Sequence, residues 1–550
     1  MMTGSKSNYK LNAENSYRLI IFSIIILHVI FLYIAGYFEI GLISDDYLNF
    51  ISAESSSLYD KFHSSIPYYS NYHFRPLWFL SIDFSIYING LLQLSKGNFI
   101  LFRIENLIYF YTFGLLAAYL LKNFTGNNFL SIILFLACII YPCNLNSICW
   151  TAGRVDLLCG ILILSSLIFC FRYFRSGSFT SLVISSVFML LALCTKETSV
   201  IIPFVTFLIF FISYGKAAFG KIKYLLLSEF ILLLIYCVFK IFYIGNSPSD
   251  ILTIYGAPGL FNRAGVILRA IVSLTVPYDY LSLQYSISSL DITFFIYILV
   301  LIITGAAIFI LLKRLQKLKY LSLVFIVFLF TIIPNLIAGY FRPQLILIPF
   351  VLTVLTLFIV LSKAGLFKLP LKIFPVIILA FWTFLSFNLI KDWNFAYRES
   401  LKDIEELCNA KIDFSSSQKT YVIGLPSRYR QSSMLDYASS PFNYWCRDGF
   451  KIENEIKDII HTGALDENSL NSKIKVNILN GNEFDISVTG KTQYLLKLDS
   501  PESKFRDNET EIFFSEFNSF GKPTKAKIKF FTDDNEIFIF SNGKITKAGI

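Results

Sequence analysis

Charge is scarce in this chain: Lys, Arg, Asp and Glu make up 16% of its 550 residues, against about 25% in an ordinary soluble domain. Histidine is scarcer still. His28, His63, His73 and His461 are the four present, too scattered for a zinc site. The nine cysteines contain no CxxC matched by a second one, which removes the common structural zinc modules. No heptad pattern runs along the chain, and no repeat of about 20–50 residues is visible. Neither a Gly-rich dinucleotide fingerprint nor a Walker A sequence occurs. The net charge of +10 comes without a basic groove interleaved with Gly and aromatics, so it does not point to nucleic acid. Lysines that flank membrane segments account for it more simply.

What is abundant is apolar sequence. Hydrophobic residues are 55% of the chain and aromatics 17%, and mean hydropathy is +0.60. The apolar runs are too many for a signal peptide or a single anchor. A helix needs about 20 apolar residues to cross the hydrocarbon core. About eleven crossings are expected on that basis, at 18–38, 101–121, 129–142, 156–174, 180–195, 198–214, 223–244, 291–312, 320–338, 345–362 and 371–390. Residues 76–94 are apolar but interrupted by Asp83 and Asn89, and are expected to lie as an amphipathic helix in the interface; a twelfth crossing is the alternative.

Charge decides between those two. With 76–94 lying flat, one side of the membrane receives Lys6, Lys10 and Arg18, then Lys122, Arg172 and Arg175. Lys216, Lys221, Lys223, Lys313, Arg314, Lys317, Lys319, Lys363, Lys368 and Lys372 follow on that side. That is the cytoplasmic signature, and a further crossing would invert every later connection. The expected layout is a membrane domain over 1–390, with its first outer loop at 39–100, and an extracytoplasmic soluble domain over 391–550. The Ile/Lys/Asn/Phe-rich composition resembles that of AT-rich bacterial genomes, so the membrane is expected to be a bacterial inner membrane, with the site on its periplasmic side.

On this map the outer ends of the spans collect a sparse set of polar residues: Asp45, Asp46, His73, Arg75, Arg103, Glu105, Arg154, Asp156, Lys196, Glu197, Arg263, Arg269 and Arg342. A charge at the centre of a membrane helix costs about 2.5–3.5 kcal/mol on insertion scales. Such residues are kept for function or as ion pairs, and helix-end snorkelling is the plainer account of any single one. Asp45 and Asp46 are the sharpest element. Adjacent acids repel, which raises one of them unless a cation is near, and a raised carboxylate suits a general base. The structural alternative is a cap on a helix that begins near Tyr47; one acid can cap while the other works.

The order of these elements is familiar. The acid pair is followed by His73-Phe74-Arg75-Pro76-Leu77, then by Phe102-Arg103-Ile104-Glu105-Asn106, by Gly153-Arg154-Val155-Asp156 and by Cys194-Thr195-Lys196-Glu197. The chain resembles the GT-C superfamily of polyprenyl-phosphate-sugar-dependent glycosyltransferases, in particular the branch of protein O-mannosyltransferases and TMTC-like proteins. The likeness covers about 18–210 by motif and 210–390 by hydropathy only. It implies a catalytic acid in the first outer loop, carried over to Asp45 with Asp46 beside it. It implies donor-phosphate binding by Arg154, Lys196, Arg342 and Arg75. Arg342 stands in Tyr340-Phe341-Arg342-Pro343, where the order of Tyr and Arg departs from the family's late element. His73, Asp156, Glu197, Arg103 and Arg263 are further site candidates. The tandem helical repeats of the animal members are absent, so nothing specifies a protein acceptor.

The expected reaction is transfer of a sugar from a lipid-linked phosphate to an acceptor hydroxyl. Arginine suits the phosphate because its planar fork makes paired charged hydrogen bonds. A carboxylate takes the proton of the attacking hydroxyl. No cofactor is required; a divalent cation between the acids and the phosphate is compatible with the acid pair. Partners would be the lipid donor, a glycan, lipid or protein acceptor, and the bilayer. Two other classes compete. A transporter or flippase would place its polar residues near the midplane with repeats or broken helices. A polymerase or ligase of lipid-linked polysaccharide would not need the early acid pair.

Beyond 391 charged residues become frequent. A strand is expected at 420–425 and helices at 428–438 and 453–461. Alternating segments then follow at 473–479, 484–489, 493–498, 510–516, 525–532 and 536–541, separated by turns such as Asn480-Gly481 and Asn542-Gly543, which read as an antiparallel β unit. Cys408 and Cys446 are the tail's cysteines, and an oxidising compartment would join them.

Overall fold

The computed structural model describes residues 3–63, 66, 74–95, 97–242, 260–275, 295, 298–299, 302, 318–338, 343–365, 369–410, 419–430, 432–435, 441, 444–446, 456–470, 472–480, 482–496, 504–506, 509–518, 522–531 and 535–548. The chain divides into two compact units. One holds Met1–Phe38, Ser55–Tyr278 and Ile296–Ile390; the other gathers Glu39–Glu54, Asp279–Phe295 and Lys391–Ile550.

The first unit is helical. Six helices among the described residues are long and apolar enough to cross a membrane, at Glu14–Ile34, Ile100–Thr125, Thr151–Ser176, Glu197–Tyr214, Ala217–Phe242 and Pro375–Asn409. Asn128–Ile140 and Pro142–Cys149 form a seventh if read as one span bent by 53°. Pro142 sits at the start of the second piece, and the Tyr141 before it is extended (φ −62°, ψ 120°). A residue ahead of proline is pushed out of the helical region in this way. Phe179–Leu193, Ser322–Ile337 and Leu347–Lys363 are apolar but shorter. Ten of the eleven expected segments therefore fall on apolar helices, and 291–312 lies almost wholly outside the described residues.

The helices important below are labelled α1 (Pro76–Leu91), α2 (Ile100–Thr125), α3 (Arg154–Ser176), α4 (Phe179–Leu193), α5 (Ile202–Tyr214) and α6 (Ala217–Phe242). With 16 residues, α1 is about 24 Å long, short of the ~30 Å hydrocarbon core. It buries Trp78, Phe79, Ile82 and Ser85 and exposes Phe84, Tyr87 and Leu91. Close helix contact elsewhere depends on small residues: a Cβ on Gly160 of α3 would stand 2.5 Å from the Phe113 ring of α2. Tyr141 stacks on Phe350 at 3.9 Å and meets the Trp382 edge at 4.8 Å.

The second unit is built on two sheets. Strands β1 (Lys419–Tyr429), β2 (Ser432–Ser433), β3 (Ile456–Ala464), β4 (Ile474–Asn480), β5 (Glu483–Val488) and β6 (Gln493–Leu496) come first. They are followed by β7 (Lys504–Arg506), β8 (Thr510–Phe517), β9 (Pro523–Phe530), β10 (Asn535–Ser541) and β11 (Lys544–Lys547). The mixed sheet runs β11-β10-β1-β3-β6 with β2 on β1, and β1 is parallel to both β10 and β3. The other sheet, β4-β5-β9-β8-β7, is antiparallel throughout. Phe484 and Ile486, Ile512 and Phe514, and Ile528 and Phe530 alternate at the strand period of two and share one core with Tyr421, Ile423 and Ile460.

Two expectations for this unit are corrected. The described part of the helix expected at 453–461 is strand β3: Ile456, Ile459 and Ile460 are spaced like a helix face, but the strand pairs with β1 along its length and with β6 from His461 onward. The helix expected at 428–438 is also absent from its described part, because Arg428 and Tyr429 continue β1 and Ser432–Ser433 fold back on it as β2. Helix Leu369–Asn409 runs 41 residues, well past the expected end at 390. Cys408 and Cys446 form a disulfide.

Candidate functional site

In the membrane unit the candidate cations form a group of ion pairs around α1. Arg75 precedes Pro76 and keeps a non-helical backbone (φ −135°, ψ 49°), so its side chain leaves the first turn rather than the helix wall. It donates to Glu197 Oε2 through Nη2 at 3.0 Å and Nε at 3.3 Å. Lys240 of α6 stands 3.6 Å from Oε1 of the same glutamate. Next along the chain, Lys196 meets Asp156 at 2.5 Å, and both are buried. Arg154, two residues before that aspartate, is fully enclosed. Its Nε donates to Asn106 Oδ1 at 2.8 Å. Its Nη1 reaches the Ser81 carbonyl at 3.1 Å and Ser85 Oγ at 2.5 Å. Its Nη2 reaches Glu105 at 3.1 Å. Ser85 also donates to Glu105, so α1 itself carries two of the groups that seat Arg154. Lys61, buried, pairs with Asp83 of α1 at 2.6 Å.

The Gly153-Arg154-Val155-Asp156 element has a steric reason for its glycine. A Cβ at 153 would stand 2.7 Å from the Ser147 Cα and 2.8 Å from its carbonyl oxygen, so any side chain would displace the turn that starts α3. Arg103 does different work. Its Nη1 donates to the Ile148 and Cys149 carbonyls, each at 2.7 Å, and its Nη2 to Thr151 Oγ1 at 3.3 Å. A cation there satisfies the last carbonyls of helix Pro142–Cys149 and its dipole. Five cations, Lys61, Arg75, Arg154, Lys196 and Lys240, thus meet four acids, Asp83, Glu105, Asp156 and Glu197, among the described residues.

Asp45 and Asp46 belong to the second unit. They end a tight turn. The Asp46 N–H donates to the Ile43 carbonyl at 3.1 Å, and the Ile43 N–H donates to Asp46 Oδ2 at 3.1 Å. Ser44 inside the turn has φ +58°, a left-handed conformation costly for a residue with a Cβ. Its N–H donates to the Met434 carbonyl at 2.7 Å. Asp46 is buried and opens helix Asp46–Ser55, while Asp45 is half-buried and its carbonyl accepts the first helical bond, from Asn49 at 3.0 Å. Asp45 thus stands at the N-cap position, Asp46 closes the turn ahead of the helix through the Ile43 N–H, and Asp45 is the more accessible acid.

Tail residues hold this turn on several sides. Trp445 Nε1 donates to the Tyr47 hydroxyl at 3.2 Å, and the Tyr444 ring lies 5.4 Å from that of Tyr47. Burial pushes the Tyr47 phenol well above its usual range and that of Tyr444 up to about 12. Gly41 lies against Tyr397, where a Cβ would stand 2.4 Å from the ring. The Asn394 amide and the Arg398 guanidinium donate to Glu39 and hold its carboxyl below the usual range.

Compared with protein-family models, the chain finds no match, and compared with curated proteins it finds none either.

Of the expected site residues, the structure pairs Arg75 with Glu197 and Lys196 with Asp156, seats Arg154 on Glu105 and Asn106, and sets Arg103 at a helix end. Arg263 is exposed on helix Leu260–Thr275. His73 and Arg342 lie outside the described residues. Sequence reasoning did not single out Lys61, Lys240, Ser81 or Ser85. For the two serines a signal existed: spaced by four on an otherwise apolar helix, they share one face.

Proposed function

We propose that this chain is an integral membrane glycosyltransferase that moves a sugar from a polyprenyl-phosphate donor to an extracytoplasmic acceptor hydroxyl. The observation that carries the reading is the group of partly buried ion pairs around Pro76–Leu91, Arg75 with Glu197 and Lys196 with Asp156 among them, on helices suited to a bilayer. An anion with a lipid tail is the ligand such a place favours. Arg154 has its donors engaged inside the chain, so its role is to hold Glu105 and α1 in place. Arg75 and Lys196 are the phosphate-facing pair, with Glu197 and Asp156 as the acids they exchange for phosphate oxygens.

Asp45 is the general base. It takes the acceptor proton as the hydroxyl oxygen attacks the anomeric carbon and the bond to the phosphate oxygen breaks, the charge leaving on the phosphate. One displacement inverts the anomeric centre. Asp46 holds the turn through the Ile43 N–H. The Cys408–Cys446 disulfide supports an extracytoplasmic tail, since such bonds persist in oxidising compartments.

Sugar transfer by the purified chain from a panel of labelled polyprenyl-phosphate sugars tests this, wild type beside Asp45→Asn. The expected result is transfer or donor hydrolysis that falls at least ~100-fold in the variant, the usual worth of a general base, with donor binding retained. Unchanged turnover in the variant would remove Asp45 from the mechanism. No binding of any lipid-linked sugar would remove the reaction class.

A further inference from the structure

Glu229 takes no part in the network described above. It lies on α6 (Ala217–Phe242), 12 residues from one end and 13 from the other, about 18–20 Å of helix on each side. That helix is mostly unburied within the chain, as expected of one facing lipid, yet Glu229 is 0% exposed. Its carboxyl is turned inward, onto α3, α4 and α5.

What meets it there is polar but uncharged. Cys170 Sγ of α3 donates to Glu229 Oε1 at 3.3 Å, and Thr206 Oγ1 of α5 donates to the same oxygen at 3.2 Å. Behind Cys170, Ser185 of α4 lies 3.0 Å from the thiol sulfur and 3.0 Å from Ser166 Oγ. All four of these neighbours are fully buried or nearly so. Oε2 has no partner among the described residues. The charged side chains on the packed elements are engaged elsewhere. Arg172 and Arg175 of α3 lie over the Phe169 and Phe171 rings, and Lys221 and Lys223 of α6 over Phe174 and Tyr224. Arg154, Asp156 and Lys240 belong to the ion network, and α4 and α5 carry no charged residue. Cys170 is thus the titratable group that touches the carboxyl.

An ionised carboxylate at mid-helix, without a cation, is the arrangement a membrane interior disfavours most. Two donors on Oε1 suit that oxygen as the carbonyl of a neutral acid, which leaves Oε2 as the place for its proton. We propose that Glu229 is an intramembrane proton-binding site, a carboxylic acid kept neutral by its burial between α3, α4, α5 and α6, where a thiol and a hydroxyl meet Oε1 and no cation does among the described residues. Passing that proton to an acceptor that reaches Oε2 leaves a carboxylate on Glu229, with the Cys170 and Thr206 donors on Oε1 and no lysine or arginine paired with it among the described residues, and the proton's return restores the neutral acid. The inference is independent of the glycosyl-transfer reading.

Infrared difference spectroscopy of the full-length protein in lipid nanodiscs, wild type minus Glu229→Gln at neutral pH, tests it. The surface acids are ionised there and cancel. The expected difference is loss of a carboxylic-acid C=O band that shifts in deuterated buffer. Loss of a carboxylate band instead would overturn the proposal. If Glu229→Gln fails to fold, Cys170→Ala answers the same question: it removes one donor to Oε1, so the same acid C=O band moves to higher frequency, and a spectrum with no such band overturns the proposal. Sodium added to the wild type is expected to leave the acid band in place; its replacement by a carboxylate band would make the site one for a metal cation and overturn the proton assignment.

Discussion

Arg154 in the membrane unit and Lys529 in the sheet unit each stand 3.1 Å from a glutamate. The distances match and the surroundings do not. Arg154 and Glu105 are 0% and 12% exposed at the side chain, and Lys529 and Glu483 are 49% and 19%. The first pair is enclosed among Asn106, Ser81 and Ser85, each satisfying another donor. The second lies on the solvent side of a β ladder in which Lys527 and Lys529 both reach Glu483. An ion pair's worth depends on the water it has lost more than on its length. The enclosed network is therefore rigid, and costly to interrupt at any one member. The ladder is interchangeable.

The comparison can be broken at four points. Removing Arg154 is the largest. Arg154→Ala leaves the mostly enclosed Glu105 without its cation, and breaking a buried pair costs about 3–5 kcal/mol. Little folded protein is expected by size-exclusion chromatography in detergent, and a normally folded Arg154→Ala variant would show the network to be unimportant. Next is the disulfide of the second unit. Cys408→Ser with Cys446→Ser opens a loop of sequence separation 38, which chain-entropy reasoning values at about 3–4 kcal/mol. Two fewer thiols titrated in the oxidised wild type than after reduction, with earlier thermal unfolding of the double variant, is the expected pair of results.

The ladder comes third. Lys529→Ala is expected to change stability by less than ~1 kcal/mol, read as an unchanged melting temperature within a degree or two; a loss as large as that of Arg154→Ala would erase the distinction drawn above. Smallest is Glu39. The Asn394 amide and then Arg398 lower its folded value, so its contribution is complete above the unfolded value of ~4.3 and is lost as pH falls through the lower folded value. Because Glu39 is 57% exposed at the side chain, the expected acid-side difference between wild type and Glu39→Gln is below ~1 kcal/mol, measured as melting temperature against pH.

How much was legible in the residues differs between the two units for physical reasons. Apolar runs that must satisfy their own backbone hydrogen bonds become helices whatever their neighbours are, so most of the expected spans coincide with helices. The β8 and β9 alternation was equally plain, because Ile512, Phe514, Ile528 and Phe530 bury one face of each strand. Segment 456–464 was not legible, because Ile456, Ile459 and Ile460 suit a helix and only the two flanking strands decide otherwise. At the candidate site, Arg75, Lys196 and Asp156 stood out as charges in apolar surroundings. Which acid each one faces did not, since Arg75 and Glu197 are 122 residues apart.

The sequence alone determined the class of this molecule: a helical membrane-type chain followed by a β-rich tail, with its few charges in short polar clusters. Apolar length and alternation are local properties, and they need no partner to be read. Tertiary structure decided that Asp46 turns back to the Ile43 N–H, that residues 39–54 belong with the tail, and that Glu229 meets a thiol and a hydroxyl in place of a cation. Those outcomes depend on groups distant in the chain arriving at one buried point, where the cost of an unsatisfied charge selects the partner.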